Sequence, residues 1–429
     1  MEVQAPPPQP DDQPSSQGDA PEAPSPNEAA LTTGQKIGIG SALAVLAVGG
    51  LLFALSCAFR GRPVPEVPPL PVAPPAVREP EEVKVVLVRD QSVQVTAPGG
   101  LWHTGRESGG PPVDAGEPPW TVATAGKSLA LNGNPNGASA LSFRPPDGTF
   151  GLNGTLYRGR LVLGHLEDGR LEAVNLVDPE DYLRSVVGSE MYASWPLNAL
   201  MAQAVAARTY MLYTASTRGF LNKLDLAYRG VAGEHRDPTL AVGLTRGIVM
   251  TYNGRLFSAY FHSTCGGHTA SAKKVFGVAP LPPLTGVACR WCTDSPHYEW
   301  RVELSAGQIA ESLRDWAVHE VESVEPEGAG PDGYARTVVV NGQTRIPAND
   351  FRLAVGAGKL KSTRFLVVPL EEGFLFSGRG YGHGVGLCQW GAHGLAREGR
   401  GWQGILEHYY PGAELQEVER QSPEMAAGR

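Results

Sequence analysis

Two helix-opening signals lie close together in the middle of this chain, and what stands between them limits how the polypeptide can run. In Asp178-Pro179-Glu180-Asp181 the first Asp can cap, Pro fits the first helical position and the acids complement the positive helix end. The pattern predicts a helix that stops near Gly188. Pro196 then opens a second helix, in which Leu197, Leu200, Ala204 and Met211 recur at helical spacing and the alanines let neighbouring elements approach closely. Glu190 is thereby expected on a loop in the corner between two helices, beside Met191, Tyr192 and Trp195. A carboxyl partly removed from water in such a corner keeps its proton nearer neutral pH and can act as a general acid. A solvated loop glutamate is the commoner fate of an arbitrary Glu.

The ends of the 429-residue chain differ from its middle. Residues 1–35 carry six acids, no base and many prolines, with little to bury, and read as a disordered acidic tail. An uncharged apolar run, Ile37 to Phe59, bounded by Lys36 and by Arg60 and Arg62, makes residues 36–60 a single transmembrane helix. It is too long for a signal-peptide core and follows a long acidic tail; Cys57 reads as a small hydrophobe inside it. Residues 61–82 form a Pro-rich spacer of extended polyproline type. The flanking positive charges taken alone would leave the C-terminal part in the cytoplasm. Of the formal net charge of −8, six belong to the tail, so the remainder is nearly neutral and carries no sign of nucleic acid binding.

Order is expected over residues 83–415, with a tail at 416–429. Residues 83–176 alternate polar and apolar in short runs such as Val83-Lys84-Val85-Val86-Leu87-Val88 and Arg160-Leu161-Val162-Leu163, parted by glycine and Asp-Gly turns, which predicts a β-rich part. In residues 177–415 the two helices are followed by a hairpin at Asn253-Gly254, a helix over Leu304 to Trp316 and a second hairpin at Asn341-Gly342. The order of elements argues for an α+β fold with mostly antiparallel sheets.

The cysteines supply a second constellation: Cys265-Gly266-Gly267-His268, then Cys289-Arg290-Trp291-Cys292. Two Cys-x2-ligand pairs have the spacing of a tetrahedral structural Zn2+ site, with Cys265, His268, Cys289 and Cys292 as ligands and His262 and His297 as rivals for the fourth place. Outside the cytoplasm, a disulfide from Cys265 to Cys289 or Cys292 is the alternative.

Four ordered blocks carry a resemblance. They are Ser189-Glu190-Met191 with Trp195-Pro196-Leu197 and Ala202-Gln203-Ala204-Val205-Ala206-Ala207-Arg208-Thr209-Tyr210; Phe261-His262-Ser263 with Cys265-Gly266-Gly267; Gly380-Tyr381-Gly382-His383-Gly384-Val385-Gly386-Leu387-Cys388-Gln389-Trp390-Gly391-Ala392; and His408-Tyr409-Tyr410-Pro411-Gly412-Ala413. With them the chain resembles the SpoIID/LytB family, named for stage II sporulation protein D and the amidase enhancer LytB. The resemblance implies action on peptidoglycan outside the cytoplasmic membrane. One form is a lytic transglycosylase that cuts denuded glycan strands between MurNAc and GlcNAc and leaves 1,6-anhydroMurNAc; the other is a glycan-binding enhancer of a cell-wall amidase. A zinc amidase fits poorly, because thiolate-rich ligands suit a closed structural site.

In the catalytic form Glu190 is the acid, since cyclisation needs no water nucleophile and hence no second carboxylate. Arg208 either orients a carboxylate or the lactyl group, or forms a structural ion pair. Tyr381 and His383 would line the glycan groove, or else belong to a packed turn, and Gln389 and Trp390 would contact sugar through amide and indole. Met201 stands where the family motif often has Lys. The Cys/His cluster that some members carry before a Tyr-x-Gly segment is missing from Leu224-Asp225-Leu226-Ala227-Tyr228-Arg229-Gly230.

Overall fold

A computed structural model describes residues 77–106 and 110–420, with the side chain of Arg420 left aside. The fold is α+β, with several antiparallel sheets and eight α-helices among the described residues. The tail at 1–35 and the apolar run at 36–60 lie outside them. No helix of the described residues is long and apolar enough to cross a membrane.

The β-rich part is two facing sheets. One has six strands, with Ser92–Thr96 and Trp120–Ala125 at its centre. The other has seven, built on the antiparallel neighbours Val83–Asp90, Leu171–Val177, Arg160–His165 and Ala140–Arg144. In Ser92–Thr96 alternation buries one face, with Val93 and Val95 pointing inward and their neighbours outward, whereas Arg160–His165 and Leu171–Val177 are buried on both faces. Trp102 of the seven-stranded sheet meets Trp120 of the six-stranded sheet edge to face at 5.8 Å, with Phe143 against both. These rings belong to the main core, which also takes in the buried residues of the helices.

Helix α1 spans Pro179–Glu190 and α2 spans Leu197–Arg218. Asp178 caps α1 as predicted, accepting from the backbone N–H of Glu180 and Asp181. Gly188 does not end the helix. It lies in the last turn because the carbonyl of Gly233 presses against it where a Cβ would stand, so the glycine marks a close approach rather than a stop. Glu190 is therefore the last residue of α1, not a loop residue. Helix α2 is buried on nearly all sides, its alanines meeting both the sandwich and the later helices.

Beyond the short α3, Arg236–Leu244, the Asn253-Gly254 hairpin forms with both turn residues at positive φ, pairing Ile248–Tyr252 with Arg255–Leu256. The return strand of the hairpin is short, and beyond it Phe261–His262 runs parallel to Leu387–Cys388. Between these two partners the chain makes α4, Ala272–Phe276, and then a module over residues 299–379. The module holds two three-stranded sheets, α5 (Ala306–Ser312) and α6 (Ala348–Val355), around its own core of Trp300, Ile309, Val338, Phe351 and Phe376. The helix expected over Leu304 to Trp316 is a strand end, then α5 opened by a Ser305 capping box, then a 3-10 turn. The Asn341-Gly342 hairpin forms as predicted.

Helices α7, Gln389–Arg397, and α8, Trp402–Tyr409, close the body against α2. The two ends of the described residues meet: Arg78–Glu79 runs parallel to Glu419–Arg420, and Glu414–Glu417 pairs with Ile248–Tyr252. The folded body thus begins before Val83 and continues past Leu415, because edge pairing at both ends recruits residues whose side chains alone give no strand signal.

Candidate active site and cysteine centre

Glu190 ends α1 where the unpaired carbonyls of the last turn present partial negative charge, an unfavourable place for a carboxylate. Burial adds to this and is the main cause that pushes its carboxyl up to about 7. Two hydrogen bonds act in the other direction: the backbone N–H of Ala227 donates to Oε1 at 2.7 Å, and the side-chain amide of Gln389 donates as well, with Arg229 a weaker positive influence. The result is a carboxyl held in one orientation and near half-protonated at neutral pH, which is the state a general acid requires.

Helix α7 supplies the wall beside it. Gln389, its first residue, is buried and places its amide between Glu190 and Gln203 Oε1 of α2, the latter at 3.5 Å. Trp390 follows, and its ring meets Trp195 at 4.9 Å, Tyr192 at 6.2 Å and His393 at 5.6 Å. These four aromatic side chains are only partly buried. A carboxyl with amide donors and half-exposed rings next to it is suited to a sugar, whose ring faces stack on aromatic surfaces and whose hydroxyls bond to amides. The sequence places Tyr192 and Trp195 beside Glu190, whereas nothing local points to His393, Gln203 or the Ala227 N–H, which reach the cluster from other parts of the chain.

The other sequence candidates lie differently. His383 has its ring enclosed by Tyr260, Phe276 and His262, and its Nδ1 accepts the N–H of Val385 at 3.0 Å. Burial holds it well below the ordinary histidine range, so it stays neutral, and its contacts are those of the packed turn. The Tyr381 ring packs edge-on against His297, with the Lys361 ammonium over its face. Arg208 is not beside Glu190. It is wholly buried and pairs bidentately with Glu180 at 2.7 and 2.9 Å, and it also donates to the carbonyls of Ile248 and Val242. Glu180 is at the opposite end of α1, about 15 Å along the axis from Glu190. The guanidinium is thus a clamp holding α1, α2 and the start of the Ile248–Tyr252 strand together, which corrects the catalytic assignment in favour of the ion pair. Met201 is half-buried against the main core.

Cys265, Cys289, Cys292 and Cys388 converge, all buried, with their sulfurs within 4.8 Å of one another. Such a group could hold a metal ion. All four are free thiols, and Sγ of Cys265 is 3.6 Å from Sγ of Cys292. The fourth member is Cys388, in the place that spacing assigned to His268. His268 Nδ1 instead contacts the carbonyl of Thr269 at 2.7 Å, and neither it nor the rivals His262 and His297 belongs to the group. His262 turns its Nδ1 to the Val385 carbonyl, and burial pushes it down to about 4. Cys388 escaped the spacing argument because the 299–379 module separates it from Cys292 in sequence. The parallel pairing of Phe261–His262 with Leu387–Cys388 closes that gap.

A family model described as SpoIID, stage II sporulation protein, matches residues 167–252, the stretch that holds both α1 and α2. An uncharacterized protein of Brachyspira hyodysenteriae is 34% identical over 321 residues, 71% of this chain and 84% of that protein. The stage II sporulation protein D of Bacillus subtilis is 29% identical over 269 residues, 58% of this chain and 77% of that protein. The amidase enhancer of Bacillus subtilis is 28% identical over 290 residues, 54% of this chain and 40% of that protein.

Proposed function

Because the chain belongs to the SpoIID/LytB family, we propose that it is a membrane-anchored peptidoglycan lytic transglycosylase, with Glu190 as its acid and denuded glycan strands as its substrate. The observation that carries this reading is the Glu190 carboxyl, raised to about 7 and oriented by the Ala227 N–H and the Gln389 amide beside half-exposed aromatic rings.

Protonated Glu190 gives its proton to the oxygen that joins C1 of MurNAc to GlcNAc. The C1–O bond breaks and GlcNAc leaves with a free hydroxyl. The C6 hydroxyl of the same MurNAc then attacks C1 while the Glu190 carboxylate takes its proton, which closes the 1,6-anhydro ring and restores the acid. No water is consumed. One carboxyl serves both steps, as a cyclisation that uses no water nucleophile allows. Gln389 and Ala227 hold the carboxyl on line, and Trp390, Trp195 and Tyr192 give the sugar a surface to stack on.

In this reading the apolar run at 36–60 anchors the chain in the cytoplasmic membrane, and the body works on the wall side at the end of the Pro-rich spacer. The metal is structural Zn2+, because four thiolates leave no position for a reactive water. A second reading, a non-catalytic enhancer of a cell-wall amidase, is favoured by the similarity to the amidase enhancer. The two separate cleanly when the purified full chain is incubated with denuded glycan. Anhydromuramic ends in the mass spectrum, lost in Glu190→Gln, support the transglycosylase. Glycan binding without such ends supports the enhancer.

A further inference from the structure

We infer that Cys265, Cys289, Cys292 and Cys388 form a closed tetrathiolate Zn2+ centre that fastens the start of α7, and with it Gln389 and Trp390, to the body. The sulfur positions fit a single ion. Tetrahedral zinc with Zn–S bonds of about 2.3 Å has sulfur-to-sulfur edges of about 3.8 Å, and Cys265 and Cys292 stand 3.6 Å apart within a group whose members all lie within 4.8 Å. A disulfide needs about 2.05 Å. A multi-iron cluster would spread its thiolates wider.

The surroundings are those of sulfur anions. Cys388 Sγ accepts the N–H of Cys265 and the N–H of Gly391, each at 3.3 Å, and the hydroxyl of Tyr409 is 3.1 Å from Cys289 Sγ. Hydrogen bonds of this kind orient metal-bound thiolates and offset their charge. Room for them is made by Gly391, where a Cβ would collide with the Tyr409 hydroxyl and with Cys289 Sγ. Four thiols alone in so small a buried space gain little from one another; four thiolates sharing a dication are strongly bound and select a soft-ligand metal.

The centre also has a mechanical meaning. Cys388 is the N-cap of α7, its sulfur taking the place of the usual oxygen acceptor. The residues after it are Gln389, which holds Glu190, and Trp390 of the aromatic wall. Its three partners come from the segment after Phe261–His262 and from the Cys289–Cys292 loop, so one ion ties together three stretches that lie far apart in sequence. Whether or not Glu190 cuts glycan, this tether stands on the sulfur geometry alone; the claim that it orients the wall of an active site rests on the proposed function.

The test is metal analysis of the full chain purified in detergent without added metal, with thiol alkylation followed by mass spectrometry. About one zinc per chain is expected, with the four cysteines becoming reactive together when a chelator removes it. His268→Ala should keep the full complement. Cys388→Ser should lose most of it, and Cys388→His, which restores a ligand atom, should recover part. Should the serine variant fail to fold, the chelator experiment on the unaltered chain still decides. Hydrogen exchange reads the tether: on zinc removal the amides of α7 should exchange many-fold faster than those of α5 and α6. Bound iron, a Cys265–Cys292 disulfide, or zinc lost from His268→Ala but kept by Cys388→Ser would overturn the ligand set. Zinc release that leaves α7 exchange unchanged would overturn the tether.

Discussion

At the scale of single residues, Glu190 shows how one helical position changes a group's chemistry. Two residues earlier the α1 ladder would have ended at Gly188 and left the acid on a loop; in the structure it closes the helix beneath the Ala227 N–H. Its value of about 7 has two consequences. In the proposed reaction the acid must be protonated to act, so anhydromuramic product formation by the purified chain should decline as pH rises through about 7, and Glu190→Gln should yield no product while still binding glycan. Stability should also respond. The folded chain holds this proton more tightly than the unfolded chain, whose value is the ordinary 4.5. The contribution is therefore fully present below about pH 4.5 and is lost as pH rises to about 7, by roughly 3 kcal/mol in total. Urea unfolding across that range should show the decline in the unaltered chain and a weaker one in Glu190→Gln. That the Glu190 carboxyl is removed from water was legible in the sequence, from the large apolar residues beside it. Its partners Gln389 and Ala227 were not paired with it, since both reach it from other elements.

At the scale of elements, α1 and α2 are a rigid pair because one buried ion pair joins the start of α1 to the middle of α2. Replacing Arg208 by Met would strand the Glu180 carboxylate in the core, with an expected loss of about 3–5 kcal/mol read by urea denaturation. The pH dependence of whatever activity survives should not change, since the guanidinium does not act on Glu190. Helix α7 is the other decisive element. Trp390→Ala should weaken glycan binding on the order of tenfold, as truncation of a central aromatic contact commonly does, and should also lower thermal stability modestly because the ring is partly buried against the main core. Calorimetric titration with denuded glycan fragments measures it. The caps and turns here were readable in advance: Asp178, the two Asn-Gly hairpins and the alternating strands act through neighbours a few residues away. Gly188 misled because glycine serves two purposes, ending helices and admitting a close neighbour, and only the position of the Gly233 carbonyl distinguishes them.

At the scale of the whole molecule, the sandwich, the helical site and the 299–379 module have different tasks. The module has its own core and departs and returns between Cys292 and Cys388, and its Tyr334 and Arg364 donate to the carbonyls of Cys265 and Gly266 beside the sulfur cluster. The proposed wall-side placement of the body has a direct measurement: external protease applied to spheroplasts should degrade the body and spare a membrane-protected N-terminal fragment, and protection of the body until lysis would refute it. What the sequence determined by itself was whatever depends on short range, namely the α+β class, the helix start at Asp178, the hairpin turns and three of the four clustered cysteines. The tertiary structure decided that Arg208 pairs with Glu180, that His383 is packed away among aromatic rings, and that Cys388 rather than His268 completes the thiol group. Each of these is a choice among partners distant in the chain, and local propensity carries no information about it. Packing decides it, by fixing which buried charges, rings and sulfurs must satisfy one another once water has been excluded.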